Sequence, residues 1–229
     1  MVVEPWTGLL ETAALILDEL PPSFRDGLSV GGGSMLAGLL KHRISHDLDF
    51  FHRDPQAIGF LTPRLNHRME ALGLPYTEQS NFLKFVKGTQ EIDLIIALPV
   101  TEQGTSGTLP VGRGILVARE TPTEIMAKKI LYRGSQTIAR DLYDLAALES
   151  LAPRSLDALA TRVGRKALRG MLDRVKQMRP TLPNALNAFV TPTPSWKAFH
   201  REVPDLAIQA LERLECIAAR AMSERLPER

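Results

Sequence analysis

Apolar residues recur at helical or strand spacing along the first forty positions of the chain. Over 7–20 they lie three or four positions apart, which predicts one amphipathic helix that ends at the following proline pair. A short apolar segment at 28–30 then leads into glycines at 31–33 and an apolar run at 34–40. This order predicts a strand, a glycine turn and a second helix.

Charged and apolar residues alternate over 47–51, as expected of a strand with one buried face. Helical spacing follows over 55–72. Two further strands are predicted over 81–86 and 90–98, because apolar residues dominate both segments and the turn-forming pair Lys87-Gly88 separates them. The first hundred residues therefore mix strands with helices.

The composition of the chain changes after residue 98. Segment 99–114 is rich in Gly, Thr and Ser and contains two prolines, which predicts an excursion rather than a packed element. Helical spacing returns over 122–132 and 138–151, and everything after Pro153 is predicted to be helical with proline interruptions. The predicted fold is α/β (α+β), a mixed sheet with flanking helices followed by a helical half, with the seam between about 118 and 153.

The composition is that of a folded protein. Its 229 residues are 44% apolar and 24% charged, which is enough for one large domain or two small ones. Residues 1–20 carry four acidic and no basic side chains, and no run of about 18 uncharged apolar residues exists, so we expect a chain that is neither exported nor membrane-spanning. The single Cys216 allows no internal disulfide and anchors no zinc site. A cytoplasmic location is expected.

Charge is distributed unevenly along the chain. Residues 1–150 have a net charge of −4 and residues 151–229 a net charge of +6, with the whole excess between Arg154 and Arg179. Eight basic residues in that segment face only Asp157 and Asp173. The pattern favours chemistry in the first part and polyanion binding in the second, although an ordinary solvated helix face is the alternative.

Two aspartates provide the first candidate chemistry. Asp47 and Asp49 are two positions apart in the predicted strand, so both carboxylates should project from one face and repel each other unless a cation lies between them. Asp93, in the strand predicted over 90–98, could add a third carboxylate, with Glu91 on the same face as the alternative. Clustered carboxylates suit Mg²⁺, and two such ions can stabilise both the attacking and the leaving oxygen of a phosphoryl displacement.

A glycine turn precedes these carboxylates. Gly32, Gly33 and Ser34 lie where a strand should pass into a helix, so that backbone N–H groups and the positive end of the helix dipole are available to a phosphate. Singly, a glycine turn or a pair of aspartates is more often structural. Their order within residues 31–51 is what favours a shared function.

The segment from Gly32 to Phe51, GGSMLAGLLKHRISHDLDFF, resembles the first motif of the AbiEii/AbiGii-type nucleotidyltransferase toxins of the polymerase-β-like superfamily. That motif is a Gly-Gly-Thr/Ser turn, a short helix and a His-Arg-x-Ser-x-Asp-hydrophobic-Asp strand, with another aspartate on a later strand. The segments 123–131 (TEIMAKKIL) and 139–145 (ARDLYDL), with Arg133 between them, are similar to the family's lysine helix and Arg-Asp-x-x-Asp motif. The resemblance covers about 28–148 and does not extend to the last eighty residues.

The resemblance implies roles for residues in both halves of the chain. Three aspartates would bind Mg²⁺ and three turn residues would hold the nucleoside triphosphate: Asp47, Asp49 and Asp93, and Gly32, Gly33 and Ser34. Lys129 would neutralise phosphate charge, with Lys128 as the alternative, because Lys129 is the one followed directly by two apolar residues, as in the family. Asp141 would lie near the nucleotide or the incoming hydroxyl.

The same resemblance implies roles for two further residues. Asp144 would support Asp141 on the same helix face, or pair with Arg140 at i,i+4. Arg43, just before the aspartate pair, would contact phosphate or substrate.

The resemblance implies a nucleotidyltransferase-like domain over 1–118 and a helical domain over 119–229 that carries the lysine motif, the Arg-Asp-x-x-Asp motif and the basic helix. The expected activity is Mg²⁺-dependent transfer of a nucleoside monophosphate from an NTP to an acceptor hydroxyl, with a tRNA 3′ end as acceptor. Such a protein would be the toxin of a bacterial toxin–antitoxin or phage-defence system and would have a cognate antitoxin. The alternatives are transfer to a protein or small-molecule hydroxyl, or a non-catalytic binding module on the same fold.

Overall fold

The computed structural model describes residues 4–223, and the chain divides into two compact units. The first unit comprises residues up to Gly38, Ser45–Pro99 and Thr105–Thr121, and the second comprises Leu39–Ile44, Val100–Gly104 and the chain from Pro122 onward. All strands of the described residues form one sheet: β1 (Ser29–Gly31), β2 (Leu48–His52), β3 (Tyr76–Gln79), β4 (Phe82–Lys87), β5 (Gln90–Ile96), β6 (Thr105–Gly112) and β7 (Ile115–Glu120).

The helices fall into short ones that accompany the sheet and longer ones that make the second unit. They are α1 (Leu10–Asp18), α2 (Pro22–Arg25), α3 (Gly32–Leu40), α4 (Gln56–Leu61), α5 (His67–Ala71), α6 (Pro122–Arg133), α7 (Ala139–Leu151), α8 (Asp157–Met178), α9 (Leu182–Phe189) and α10 (Val203–Ser223). Between residues 4 and 223 none of them is both long and apolar enough to cross a membrane.

The sheet is mixed, with strand order β3-β4-β5-β2-β1-β7-β6, which confirms the predicted α/β fold with a mixed sheet and flanking helices. Central strand β2 runs parallel to β5 and antiparallel to β1. Leu48 and Phe50 of β2 are 0% and 1% exposed, and their neighbours Ile92 and Leu94 on β5 are also buried. Because side chains alternate along a strand, the residues between these apolar positions lie on the opposite face of the sheet.

The predicted helix over 55–72 is two helices, so that prediction is wrong in extent. Helix α4 ends at Leu61, and Pro63 follows its C-cap residue Thr62. Asn66 then starts α5 by accepting hydrogen bonds on its side chain from the backbone N–H groups of Arg68 and Met69. A proline beside a helix end and an asparagine cap are enough to divide the apolar pattern.

The prediction of an excursion over 99–114 is wrong for half of that segment, because residues Thr105–Gly112 form strand β6. Strand β6 pairs antiparallel with β7 at one edge of the sheet. Most of its residues are exposed, and it contains Pro110. An edge strand tolerates proline and polar residues because one of its sides has no neighbouring strand, which is why its composition is that of a loop. Strand β3, at the other edge of the sheet, was not predicted for the same reason: its residues are mostly exposed and show no apolar alternation.

The second unit consists mainly of packed α-helices, as predicted for the residues after 122. Helix α10 packs along α8 and α7, and each of the three helices has buried leucines, such as Leu145, Leu168 and Leu211. Gly164, with φ +76° and ψ +155°, interrupts α8. The basic segment is therefore two helical stretches rather than one straight helix.

Candidate active site

A row of four residues crosses the first unit's sheet on the face opposite the buried apolar residues. Asp49 of β2 has Asp93 of β5 as its neighbour on one side and Gly31 of β1 on the other. Lys84 of β4 lies next to Asp93 in turn. The predicted meeting of Asp49 and Asp93 is therefore present in the register of the sheet, at the strands in its centre.

Asp47 lies just before β2 rather than inside it, because the strand begins one residue later than predicted. Its Oδ1 accepts a hydrogen bond from the backbone N–H of Glu91 at 3.0 Å. This bond attaches the residue to β5, the strand that carries Asp93. A hydrogen bond to the backbone of β5 therefore holds Asp47 near the row. The sequence had suggested instead that Asp47 shares a strand face with Asp49.

Gly32 is the residue that allows the glycine turn to pass Asp49. Its φ is +67°, and a Cβ at this position would overlap the Asp49 carboxylate. The turn therefore brings the backbone into contact with the central carboxylate, which only glycine permits. Helix α3 starts at this residue, so its first N–H groups lie beside the same carboxylate.

Ser34, predicted to hold phosphate, lies in the first turn of α3 and is 1% exposed. Within the described residues its Oγ has no hydrogen-bond partner. A buried hydroxyl without a partner costs free energy, which a bound oxygen ligand would offset.

The electrostatics of the row favour a cation. Burial and, after it, the charge of Asp49 raise the pKa of Asp93 to about 7, while Lys84 opposes the shift. Asp93 Oδ1 is buried and accepts no hydrogen bond from the described residues. Within residues 4–223 no three His, Cys, Asp or Glu side chains already converge as a metal cage. The hard oxygen donors and the unpartnered Oδ1 nevertheless fit Mg²⁺, which commonly takes only one or two carboxylates and completes its shell with phosphate and water.

The second unit contains a buried charge cluster centred on Asp144, which is fully buried. Its carboxylate accepts hydrogen bonds from His42 Nε2 at 2.8 Å, from Arg43 Nε at 2.6 Å and from Lys129 Nζ at 2.6 Å. Burial alone would raise the pKa of Asp144, but the charges of Arg43 and Lys129 and these hydrogen bonds hold it well below its usual range. These partners take the place of Arg140, the alternative partner expected for Asp144.

Asp141 belongs to the same cluster and is 1% exposed. It accepts hydrogen bonds from Lys129 Nζ at 2.9 Å and from Arg133 at 2.8 and 2.9 Å. Burial would raise the pKa of Asp141, but these two cations keep it below its usual value. Lys129 thus lies between Asp141 and Asp144. This arrangement agrees with the alternative in which Asp144 supports Asp141.

Lys128 lies on the adjoining face of α6. Its Nζ is 3.7 Å from Glu124 Oε1, a longer ion pair than either of those made by Lys129. Glu124 also accepts hydrogen bonds from the backbone N–H groups of Val100 and Thr101, and so attaches segment 100–104 to α6. Phosphate contact by either lysine stays a prediction.

Arg43 and His42 have a role that the sequence did not indicate. Both are buried, at 4% and 0% exposure, and both bind Asp144. Their backbone is also held, since Ile44 N–H donates to the Thr191 carbonyl at 2.9 Å and Thr193 N–H to the His42 carbonyl at 3.1 Å. The partners are more than a hundred residues away, so no local pattern could reveal them. Substrate contact by Arg43 stays a prediction.

The basic segment of α8 is more neutral than its sequence suggests. Arg165 and Arg169 bind Glu215, Lys176 binds Glu212, and Arg179 binds Asp205. These three acids belong to α10. The basic segment therefore has more acidic partners than the two aspartates within it. Lys166 is exposed and makes no ion pair within residues 4–223.

Comparison with known proteins gives a family match over most of the chain. The family model of the nucleotidyl transferase AbiEii toxin of type IV toxin–antitoxin systems matches residues 15–215. The crystal structure of a candidate nucleotidyltransferase from H. pylori has a TM-score of 0.51 at 14% identity, over 96% of this chain and 99% of that one. MenT4, a nucleotidyltransferase toxin from Mycobacterium tuberculosis H37Rv, has a TM-score of 0.49 at 16% identity, over 97% and 92%. Curated proteins give no match.

We predict that Asp144→Asn lowers the free energy of unfolding by about 3–5 kcal/mol, because it removes the buried negative charge that Arg43 and Lys129 share. Urea unfolding of both proteins measures the difference. Asp173→Asn on α8 is the control, since Asp173 is 55% exposed and pairs with the exposed Arg169, and it should change the free energy little. Equal effects of the two substitutions would contradict a special contribution of Asp144.

The difference between the parent and Asp144→Asn should depend on pH. Because the folded-state pKa of Asp144 is depressed, its contribution is present above the unfolded pKa of about 4 and is lost as the pH falls below it towards the folded value. Urea unfolding at pH 7 and at several lower pH values should therefore show the two proteins becoming more alike. A constant difference over that range would be inconsistent with a depressed pKa.

Two glycines of α3 should respond in opposite directions to alanine. Gly32→Ala should lower the free energy of unfolding by roughly 1–3 kcal/mol, because its φ is positive and the methyl group would overlap Asp49. Gly38→Ala should raise it by about 0.5–1 kcal/mol, since its nearest neighbour is Trp6 Cζ2 at 3.8 Å and alanine is the better helix former. Thermal or urea unfolding distinguishes the two, and tolerance of alanine at both positions would argue against the close approach.

Proposed function

Because the chain belongs to the AbiEii nucleotidyltransferase toxin family of type IV toxin–antitoxin systems, we propose that it transfers a nucleoside monophosphate from an NTP to an acceptor hydroxyl in a Mg²⁺-dependent reaction. In this reaction the hydroxyl oxygen forms a bond to the α-phosphorus, the bond from that phosphorus to the α,β-bridging oxygen breaks, and pyrophosphate leaves. The hydroxyl proton passes to solvent. Catalysis of this kind consists mainly of positioning and charge neutralisation.

The observation that carries the proposal is the contact between the glycine turn and the carboxylate row. The backbone of Gly32 lies against Asp49, and Asp49 neighbours Asp93. This contact supports a site in which N–H groups at the start of α3 would bind phosphate and the neighbouring carboxylates would bind metal, as a bound metal–triphosphate requires. A carboxylate pair without a catalytic role would not need a glycine of positive φ packed against it.

In the proposed site, Asp47, Asp49 and Asp93 would hold Mg²⁺, and Gly32, Gly33 and Ser34 would hold the triphosphate. When bound, Mg²⁺ would polarise the phosphate and stabilise the charge that develops on its oxygens. The main-chain N–H groups at the start of α3 would orient the triphosphate. The buried Oγ of Ser34 would find in it the hydrogen-bond partner that it lacks among the described residues.

A role in phosphate binding is also proposed for the lysine motif. Lys129, or alternatively Lys128, would neutralise phosphate charge. Asp141 and Asp144 fix the ammonium of Lys129 at 2.9 and 2.6 Å, so this lysine would act from a set position. Arg43 binds Asp144 through two N–H groups, which supports a positioning role more directly than substrate contact.

RNA, and the tRNA 3′ end in particular, is the proposed acceptor, and a cognate antitoxin the proposed regulatory partner of a cytoplasmic toxin. Support for an RNA acceptor comes from the basic surface of α8. Because α10 neutralises several of its arginines, the RNA contact should depend on exposed cations without a partner, of which Lys166 is the example. Backbone contacts of this kind weaken as salt rises.

Asp49→Asn should abolish nucleotide transfer, with a loss of at least about 100-fold, because it removes the central carboxylate of the row. The assay incubates the protein with each α-labelled NTP, Mg²⁺, and total bacterial RNA and protein. Asp26→Asn, an exposed aspartate in the same unit, is the control and should keep full activity. Transfer that survives in Asp49→Asn would overturn the assignment, and a parent that labels nothing would favour the non-catalytic binding module.

The labelled fraction in the same assay identifies the acceptor. A labelled tRNA band is expected, whereas label on protein or on small molecules would replace RNA as the acceptor. Lys166→Glu should lower RNA labelling several-fold and reduce its sensitivity to salt, because one phosphate contact is lost. Lys197→Glu makes the same charge change on another exposed segment and is the matched control. Equal labelling by both variants would remove α8 from the RNA contact.

A further inference from the structure

Lys84 lies at the end of the carboxylate row and belongs to none of the motifs that the sequence indicated. It is next to Asp93 in the β4–β5 register, and its Nζ is 3.8 Å from Asp93 Oδ2. The same ammonium makes a close ion pair with Glu91, the other acidic residue on that face of β5. Its side chain is 28% exposed, so the charge is only partly screened by solvent.

Lys84 is the cation of an otherwise acidic group. Asp47, Asp49, Glu91 and Asp93 are joined by strand register or by hydrogen bond, and Lys84 contacts the last two. Burial would lower the pKa of Lys84, but its hydrogen bond to Glu91 and the charge of Asp93 raise it, so the ammonium stays protonated at neutral pH. It therefore offsets part of the repulsion among these carboxylates.

We propose that Lys84 is an internal counter-ion of the metal site, which stabilises the carboxylate row before metal binds and lowers its affinity for a free divalent cation. The inference rests on the proposed function, in which Asp49 and Asp93 bind Mg²⁺. A cation held by Asp93 would lie near the Lys84 ammonium and be repelled by it. The negative triphosphate offsets that repulsion, so Lys84 favours Mg²⁺ that arrives with its nucleotide over Mg²⁺ alone.

Calorimetric titration with Mn²⁺ in the absence of nucleotide tests the inference. Lys84→Met keeps the aliphatic side chain and removes the charge, and it should bind Mn²⁺ about tenfold more tightly than the parent, as expected for loss of one nearby positive charge in a partly hydrated site. Lys84→Arg keeps the charge and should bind as the parent does. Lys87→Met is the matched control, because Lys87 is on the same strand and donates to Thr12 at 2.7 Å instead of to a carboxylate.

Thermal unfolding supplies a second readout that does not depend on activity. Metal-free Lys84→Met should melt below the parent, because Glu91 and Asp93 lose their counter-ion, and saturating Mn²⁺ should raise its melting temperature by more than it raises that of the parent. A variant that stays partly unfolded without metal is still informative, because recovery of structure on Mn²⁺ addition is the predicted result.

Two results separate this inference from the proposed function. If the parent binds divalent cation in the presence of NTP but Lys84→Met binds Mn²⁺ no more tightly than the parent, the counter-ion role is wrong and the metal site stands. If the parent binds no divalent cation even with NTP, the proposed Mg²⁺-dependent function fails. Tighter binding in Lys87→Met equal to that in Lys84→Met would reduce the effect to net charge and contradict a local role for Lys84.

Discussion

Repulsion between carboxylates held on one face of a sheet is the constraint on which the first unit depends. Strand β2 must bury Leu48 and Phe50 in the core, and its alternation then places Asp49 on the other face beside Asp93. The cost of that proximity is visible in the pKa of Asp93, which burial and Asp49 raise to about 7. A protein gains nothing in stability from such an arrangement, so its presence in the centre of the sheet favours a role in binding a cation.

The second unit balances its buried charges internally. Asp141 and Asp144 are almost completely inaccessible, yet each is matched by at least two cationic side chains. Breaking such a cluster is costly because a single buried charge remains, whereas the intact cluster fixes the geometry of every member. The immediate consequence is that segment 41–44, which directly precedes the motif with Asp47 and Asp49, has a defined position within the second unit.

Much of the fold could be predicted from the sequence, and the exceptions have physical reasons. Strands β1, β2, β4 and β5 were predicted from their apolar residues, and the β4–β5 turn from Lys87-Gly88, where Gly88 adopts φ +64°. Strand β7 was not predicted, although it is an inner strand of the sheet. The pattern failed at the sheet edges, because β3 and β6 are mostly exposed and need no apolar alternation. It failed again over 55–72, where one proline and one asparagine cap override a continuous apolar period.

The family, the order of the motifs and the identity of the carboxylates could be read from the chain alone, because these depend on residue types at short, fixed spacings. The contacts of the charged side chains could not: Lys129 lies between Asp141 and Asp144, Arg43 binds an aspartate 101 residues away, and acids of α10 pair with part of the positive charge of α8. The contact of Lys84 with the carboxylate row likewise follows from the β4–β5 register, which places it next to Asp93. Ion pairs of this kind join positions that are remote along the chain, so their partners are fixed by packing and register rather than by local spacing.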